Sequence, residues 1–135
     1  MSVAAHTEAL ELACAAAQVA DDKKGTDILV LDVAEILSIA DAFVIASASN
    51  RRLVRTVAEA IEAQLKVTSE RAPLRVEGMG EQQWVLLDYG DVVVHVFSDE
   101  MRAFYEIERL YRDAPRVAWA SVEAASSRPS TPTSF

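Results

Sequence analysis

The chain has 135 residues, of which 51% are hydrophobic and 25% are charged, and its formal net charge is -8. This length suits one domain with a single core. No apolar stretch approaches the roughly 20 residues of a membrane-spanning helix, and the acidic balance disfavours a protein that tracks nucleic-acid phosphates. One cysteine, Cys14, cannot form an internal disulfide. We therefore expect a cytoplasmic protein with no membrane anchor and no sequence-specific contact to nucleic acid.

The first part of the chain predicts one helix and two strands. Residues 7 to 21 have helix-forming composition, and Gly25 follows as a stop signal. Two short β-branched runs, residues 27 to 33 and 41 to 48, are typical of strands. Residues 34 to 40 between them have room for one helical turn.

The second part predicts two helices around a group of three strands. Residues 51 to 66 carry an apolar stripe at helical spacing, and either Ser49 or Asn50 is a suitable N-cap. The predicted strands are residues 74 to 77, 83 to 88 and 91 to 98, with Tyr89 and Gly90 in a hairpin turn. Residues 99 to 112 are predicted as one last helix. The order favours an α+β fold, a small mixed sheet flanked by helices.

The remainder of the chain loses this periodicity. Residues 114 to 135 are rich in Ser, Thr, Pro and Ala, a composition that buries too little apolar surface to offset the entropy of ordering. We expect a domain over residues 1 to 113 followed by a disordered tail from 114 to 135. Trp119 within the tail is expected to be loosely ordered, and docking on a neighbouring surface is the alternative.

The usual metal and nucleotide motifs are absent from the sequence. The only histidines are His6 and His95, and neither H-x-x-x-H nor C-x-x-C occurs, so we expect no zinc site of ordinary spacing. The phosphate-binding patterns G-x-x-x-x-G-K and G-x-G-x-x-G are missing too. We therefore expect no metal and no cofactor.

Carboxylates supply the best case for an enzyme. Asp27, Asp32, Asp41, Asp88 and Asp91 lie at the ends of predicted strands, where a two-metal phosphoryl-transfer site could gather them. Aspartates in such places are also ordinary turn formers and helix caps. A small nucleotide-metabolising enzyme remains the alternative to a binding protein.

The predicted hairpin has the features of a surface that another protein binds. From Glu77 to Met101 there are six carboxylates and no Lys or Arg, and an acidic surface attracts basic partners. Strand alternation places Trp84, Leu86 and Asp88 on one face. An exposed Trp and Leu beside acidic groups is typical of a binding hot spot, whereas packing of Trp84 in the core is the alternative.

His95 lies in the middle of a predicted strand, and alternation puts it on the same face as Val93 and Phe97. A half-buried histidine that is hydrogen-bonded to a neighbouring strand or helix is the ordinary interpretation. As a catalytic base, His95 would need a partner that the sequence does not identify.

Five segments in a fixed order resemble the ribosomal silencing factor family, also called the Iojap family. They read KKGTDILVLDV, IADAFVIASASNRR, VEG, WVLLDYGDVVVHVF and RAFYEIERLY. The resemblance covers residues 23 to 113. The resemblance implies a nucleotidyltransferase-like scaffold that binds and does not catalyse. The nucleotidyltransferase pattern of G-S followed by D-x-D is missing, because Asp88 and Asp91 are too far apart.

Membership of this family would imply a partner and an effect. The implied partner is the basic ribosomal protein numbered fourteen, at the intersubunit face of the large subunit. Occupying that face blocks joining of the small subunit and represses translation in starvation or stationary phase. The resemblance also implies that a homodimer can form. It puts the partner-facing surface on Glu77, Trp84, Leu86, Asp88, His95, Arg102, Tyr105 and Glu106.

Two features depart from the family pattern. The family commonly has a Trp where Tyr111 stands, and its chains usually end soon after this position, whereas this chain continues to Phe135. The role of the extension is left open by the sequence.

Overall fold

The structure is a computed structural model, and it describes residues 3–120. Its elements are α1 (Val3–Asp22), β1 (Thr26–Asp32), β2 (Ala42–Ala48), α2 (Arg51–Ser69), β3 (Arg75–Glu77), β4 (Trp84–Asp88), β5 (Val92–Ser98), α3 (Asp99–Tyr105) and α4 (Ile107–Leu110). The predicted α+β class, a mixed sheet flanked by helices, is confirmed. None of the helices in this part of the chain is long and apolar enough to cross a membrane.

The five strands form one sheet in the order β1-β2-β5-β4-β3. Strands β2 and β5 run parallel, with Ala42 opposite Val92, and all other neighbours are antiparallel. The chain reaches this single parallel pair through α2 and the β3-β4 hairpin. Strand β5 is at the centre of the sheet, so β2 and β4 flank it on its two sides.

One face of the sheet packs against α1 and α2. Alternate residues of the central strands point toward these helices and are fully buried, among them Val44, Val85 and Val94. The buried positions of α1 are mostly alanine, which lets the helix backbone approach the sheet closely. The side chain of Asn50 accepts a hydrogen bond from the Leu53 N–H at 2.8 Å, so Asn50 is the cap of α2.

The other face is only partly covered. Its buried cluster joins Leu31, Phe43, Ile45 and Phe97 of β1, β2 and β5 to Ile107 of α4. Along β4 on this face the side chains are half-buried, and all three residues of β3 are exposed. The β3-β4 end of this face is therefore the open part of the sheet.

The prediction of a single helix over residues 99 to 112 is wrong, because the helix is interrupted at Glu106. Glu106 adopts the left-handed conformation with φ 47°, and its N–H donates to the Arg102 carbonyl oxygen. Across this break Arg102 Nε donates to both carboxylate oxygens of Glu108, at 3.1 and 3.2 Å. The change of direction buries Ile107 against the sheet and leaves Tyr105 at the surface.

Residues 114–119, here called the strap, run along the free edge of β1. The Pro115 carbonyl accepts from the Asp32 N–H at 2.9 Å, and the Val117 N–H donates to the Val30 carbonyl at 2.8 Å. Trp119 Nε1 donates to the Ile28 carbonyl at 3.2 Å. The prediction of a mobile tail starting at Ala114 and of a loosely ordered Trp119 is wrong for these residues. Residues 121–135 lie outside the described part of the chain.

Candidate partner-binding surface

Strand β4 supplies the centre of the candidate surface. Val85 and Leu87 are fully buried toward α1 and α2, while Trp84 and Leu86 lie half-buried on the opposite face, as the alternation predicts. Gly78 lets the end of β3 approach this strand, because its φ is +88° and a Cβ there would collide with the Trp84 carbonyl oxygen.

Aromatic rings continue the surface from β4 onto α3. Trp84 stacks on Phe97 with ring centroids 4.8 Å apart, and the Tyr105 ring lies tilted against the indole with centroids 4.9 Å apart. Tyr105 meets Phe104 edge to face at 5.0 Å. Tyr105 is 49% exposed and Phe104 73% exposed. We call Trp84, Leu86, Phe104 and Tyr105 the aromatic surface.

His95 does not belong to this surface, although it was predicted to face the partner. Only 4% of the residue is exposed, since it lies in the central strand beneath its neighbours. Its Nδ1 accepts a hydrogen bond from Trp84 Nε1 at 3.1 Å, and Phe43 packs edge-on at 5.0 Å. Its Nε2 is buried and has no hydrogen-bond partner among residues 3–120. A side chain so placed cannot touch a partner directly.

Burial also lowers the pKa of His95 to about 4, from an ordinary value of 6.5. The folded protein then binds this proton more weakly than the unfolded chain. The unfolding free energy is therefore unaffected by protonation of His95 above about pH 6.5, where the imidazole is neutral in both states. It falls as the pH drops toward 4, because the unfolded chain takes up the proton first. We expect the loss to reach about 3 kcal/mol of unfolding free energy. Denaturant unfolding of the wild type and of His95→Phe from pH 7.5 to 4 measures it, because all other titrating groups are common to both. Parallel curves would contradict the expectation.

Arg102 is likewise buried rather than available to a partner. It is 8% exposed, and its Nη1 donates to Ser47 Oγ at 2.7 Å while its Nε is held by Glu108. The side chain ties α3 to β2 and spans the break before α4. Its predicted role as a partner contact is therefore replaced by a role in holding the α3-α4 segment against the sheet.

The acidic rim predicted around the hairpin is partly neutralised by arginines that precede it in the chain. Arg75 lies between two carboxylates, 3.2 Å from Asp88 and 3.1 Å from Glu77. Arg71 pairs with Asp91 at 2.7 Å. Asp88 also accepts from the Gly90 N–H at 2.8 Å, so it shapes the turn. A count of the charges between residues 77 and 101 misses these pairs, because Arg71 and Arg75 lie outside that segment and reach its carboxylates only in the folded chain.

Glu106, the last of the predicted contacts, is exposed at the break between α3 and α4. Its carboxylate pairs with Arg109 at 2.9 Å. Glu106 follows Tyr105 directly in the chain, so it lies beside the aromatic surface. Phe104 was missed by the sequence reasoning, although two consecutive aromatic residues on a short helix cannot both face one core.

The strand-end aspartates gather in part, as the enzyme alternative requires. Asp41 precedes β2 and Asp91 precedes β5, at the same end of the sheet as the ends of β1 and β4. His6 lies between two of them, with Nε2 3.0 Å from Asp32 and Nδ1 3.6 Å from Asp41. Within residues 3–120 no group of three or more His, Cys, Asp or Glu side chains is arranged to hold a metal ion.

Several known proteins are similar to this chain in sequence. The family model described as "Ribosomal silencing factor during starvation" matches residues 6–134. A protein named Ribosomal silencing factor RsfS from Bacillus subtilis is 41% identical over 100 residues, which is 74% of this chain and 84% of the relative. Protein Iojap, chloroplastic, from Zea mays is 34% identical over 109 residues, or 79% of this chain and 46% of the relative.

Two crystal structures share the fold. A protein from Chromobacterium violaceum matches with a TM-score of 0.71 at 30% identity, covering 93% of this chain and 97% of that chain. A protein from Bacillus halodurans matches with a TM-score of 0.68 at 33% identity, covering 83% and 98%. With a family match over most of the chain and a relative matched over most of its own length, the chain belongs to the ribosomal silencing factor family.

Proposed function

We propose that the chain binds the large ribosomal subunit through the aromatic surface. Its contact there is the basic ribosomal protein numbered fourteen, at the intersubunit face. The bound chain blocks joining of the small subunit and so represses translation in the starved or stationary cell. It acts in the cytoplasm by occupying this face, without catalysis and without a cofactor.

The observation that carries this proposal is a set of large apolar side chains that the fold supports but does not cover. Phe104 and Tyr105 stay exposed on α3, and Trp84 beside them stacks on the buried Phe97. Rigid aromatic groups ringed by charged side chains are the usual composition of a protein-binding hot spot. The net charge of -8 favours a basic partner by steering its approach.

Phe104→Ala tests the surface without disturbing the core. Because Phe104 is 73% exposed, we expect the variant to unfold like the wild type but to bind isolated large subunits about fivefold to thirtyfold more weakly. The measurement is cosedimentation with purified large subunits over a range of protein concentrations. Subunit joining, followed by light scattering after adding small subunits, should be inhibited less by the variant in the same proportion.

Val67→Ala is the matched control, since Val67 is 77% exposed on α2, which covers the opposite face of the sheet. This variant should bind and inhibit like the wild type. Equal binding by both variants would place the interface elsewhere. A wild type that fails to bind large subunits at all would overturn the proposed function.

A nucleotide-using enzyme is the second candidate, because aspartates do collect at one end of the sheet. We expect calorimetric titration with Mg²⁺ and a nucleoside triphosphate to give no stoichiometric binding, since the sequence has no phosphate-binding loop. Within residues 3–120 these carboxylates are also engaged by His6, Arg71 and Arg75. Reproducible binding of both would favour the enzyme.

A further inference from the structure

The bond between Trp84 and His95 joins the aromatic surface to the core of the sheet. Trp84 and His95 lie on adjacent antiparallel strands, with Leu86 directly opposite His95 and Phe97 directly opposite Trp84. The indole therefore reaches diagonally across the strand pair to make its hydrogen bond. The rings are also close, with centroids 6.0 Å apart.

We infer that His95 is a positioning residue for partner binding, which fixes the orientation of the Trp84 indole by accepting its N–H. This inference rests on the proposed function, because it assigns His95 an indirect part in the same surface. The residue supports the surface from below and does not itself meet the partner.

The direction of the bond determines the state of the imidazole. An indole nitrogen can only donate, so Nδ1 of His95 must carry the lone pair and Nε2 must carry the proton. That Nε2–H is buried, and no atom of the part of the chain that the structure describes accepts a hydrogen bond from it. An unpaired buried donor costs free energy, so a histidine here is unfavourable for the fold alone. A purely structural role would be met better by an apolar ring.

The indole otherwise has freedom that the aromatic contacts do not remove. Stacking on Phe97 and contact with Tyr105 restrict the plane of the ring, but they do not distinguish the two orientations that a half-turn about the Cβ–Cγ bond interconverts. The directional hydrogen bond from Nε1 to His95 selects one of these orientations. Fixing an anchor before binding lowers the entropy lost when the partner docks.

Two substitutions separate positioning from packing. His95→Phe keeps an aromatic ring and removes the unpaired donor, but it leaves the indole N–H without its acceptor. His95→Asn places an amide oxygen near the position of Nδ1 and leaves a small cavity where the rest of the ring was. We expect His95→Phe to melt at or above the wild-type temperature and His95→Asn to melt below it.

Affinity for isolated large subunits should follow the opposite order. His95→Phe should bind about fivefold more weakly than the wild type, while His95→Asn should stay closer to it. In a Trp84→Phe background, which has no indole N–H, the change from His95 to Phe should no longer alter affinity. The inference is wrong if the affinities of the two variants rank in the same order as their melting temperatures. It is also wrong if His95→Phe weakens binding as much in the Trp84→Phe background as it does in the wild type.

A spectroscopic readout keeps the result separate from the proposed function. The indole ¹H-¹⁵N signal of Trp84, assigned by its loss in Trp84→Phe, should move in His95→Phe and remain near its wild-type position in His95→Asn. An unmoved signal in His95→Phe overturns the positioning role. If the wild type does not bind large subunits, the proposed function fails, and this signal still decides whether His95 orients the indole.

Discussion

Replacing Trp84 with alanine is expected to weaken binding to isolated large ribosomal subunits at least about thirtyfold, or about 2 kcal/mol. The indole is the link between the exposed Tyr105 and the buried Phe97 and His95. Its removal takes away an anchor and also the support of Tyr105. Because Trp84 is half-buried, we also expect some loss of stability, so cosedimentation must be read beside thermal unfolding of the same variant.

Trp119→Ala provides the matched control, since Trp119 is also a half-buried tryptophan but lies on the strap at the other edge of the sheet. It should lower stability and leave affinity unchanged among folded molecules. If both tryptophan variants lose binding only in proportion to the fraction unfolded, Trp84 acts through the core. If Trp84→Ala folds and binds normally, the interface lies on another face.

Ending the chain after Asp113 is expected to lower the unfolding free energy by at least about 2 kcal/mol, which corresponds to a melting temperature lower by roughly 8 °C. The truncation removes the packing of Trp119 and the hydrogen bonds from the strap to β1. It also uncovers the backbone of an edge strand, so we expect self-association to rise with concentration.

A chain ended after Ala120 is the control, because it retains every strap contact described here. Differential scanning calorimetry and sedimentation velocity compare the two truncated chains. Equal melting temperatures and equal sedimentation would mean that the strap contributes nothing to stability. The binding of the shorter chain to large subunits, measured well below its melting temperature, should be retained, since the aromatic surface lies at the other end of the sheet.

Local patterns were sufficient for most of the fold. Alternation identified which face of β4 carries Trp84, and helical periodicity after the two candidate caps, Ser49 and Asn50, identified the start of α2. These features depend on neighbours in sequence, so they can be read without the tertiary structure. The α+β class follows from the order of the elements.

The elements that sequence reasoning missed depend on distant contacts. Glu106 has no local signal for a left-handed conformation, which is usually taken by Gly or Asn. The helix is interrupted at Glu106 because Ile107 and Arg102 are both buried against the sheet. The sequence of the strap has no hydrophobic periodicity. Trp119 is ordered by packing against β1, whose outer edge pairs with no other strand of the sheet among the described residues.

Burial depth explains the errors at the candidate site. Alternation gives the face on which His95 lies but not how deeply α3 and its neighbouring rings cover that face. The family resemblance assigned Arg102 to the partner-facing surface, yet Ser47 and Glu108 bind its guanidinium and hold it in the buried position that arginine seldom takes. The count of charges in the hairpin segment overstated its negative charge for a related reason. Arg71 and Arg75 lie outside that segment in the sequence and pair with its carboxylates only after folding.

The strap has a further consequence for how copies of this molecule can assemble. Within residues 3–120 it occupies the edge of β1, so the sheet offers other chains only the edge of β3. Fibres made by joining sheets side by side need two open edges on every molecule. Molecules with one open edge can pair once through β3, and that pairing closes on itself about a two-fold axis. Occupying one edge therefore limits edge-to-edge growth to a pair.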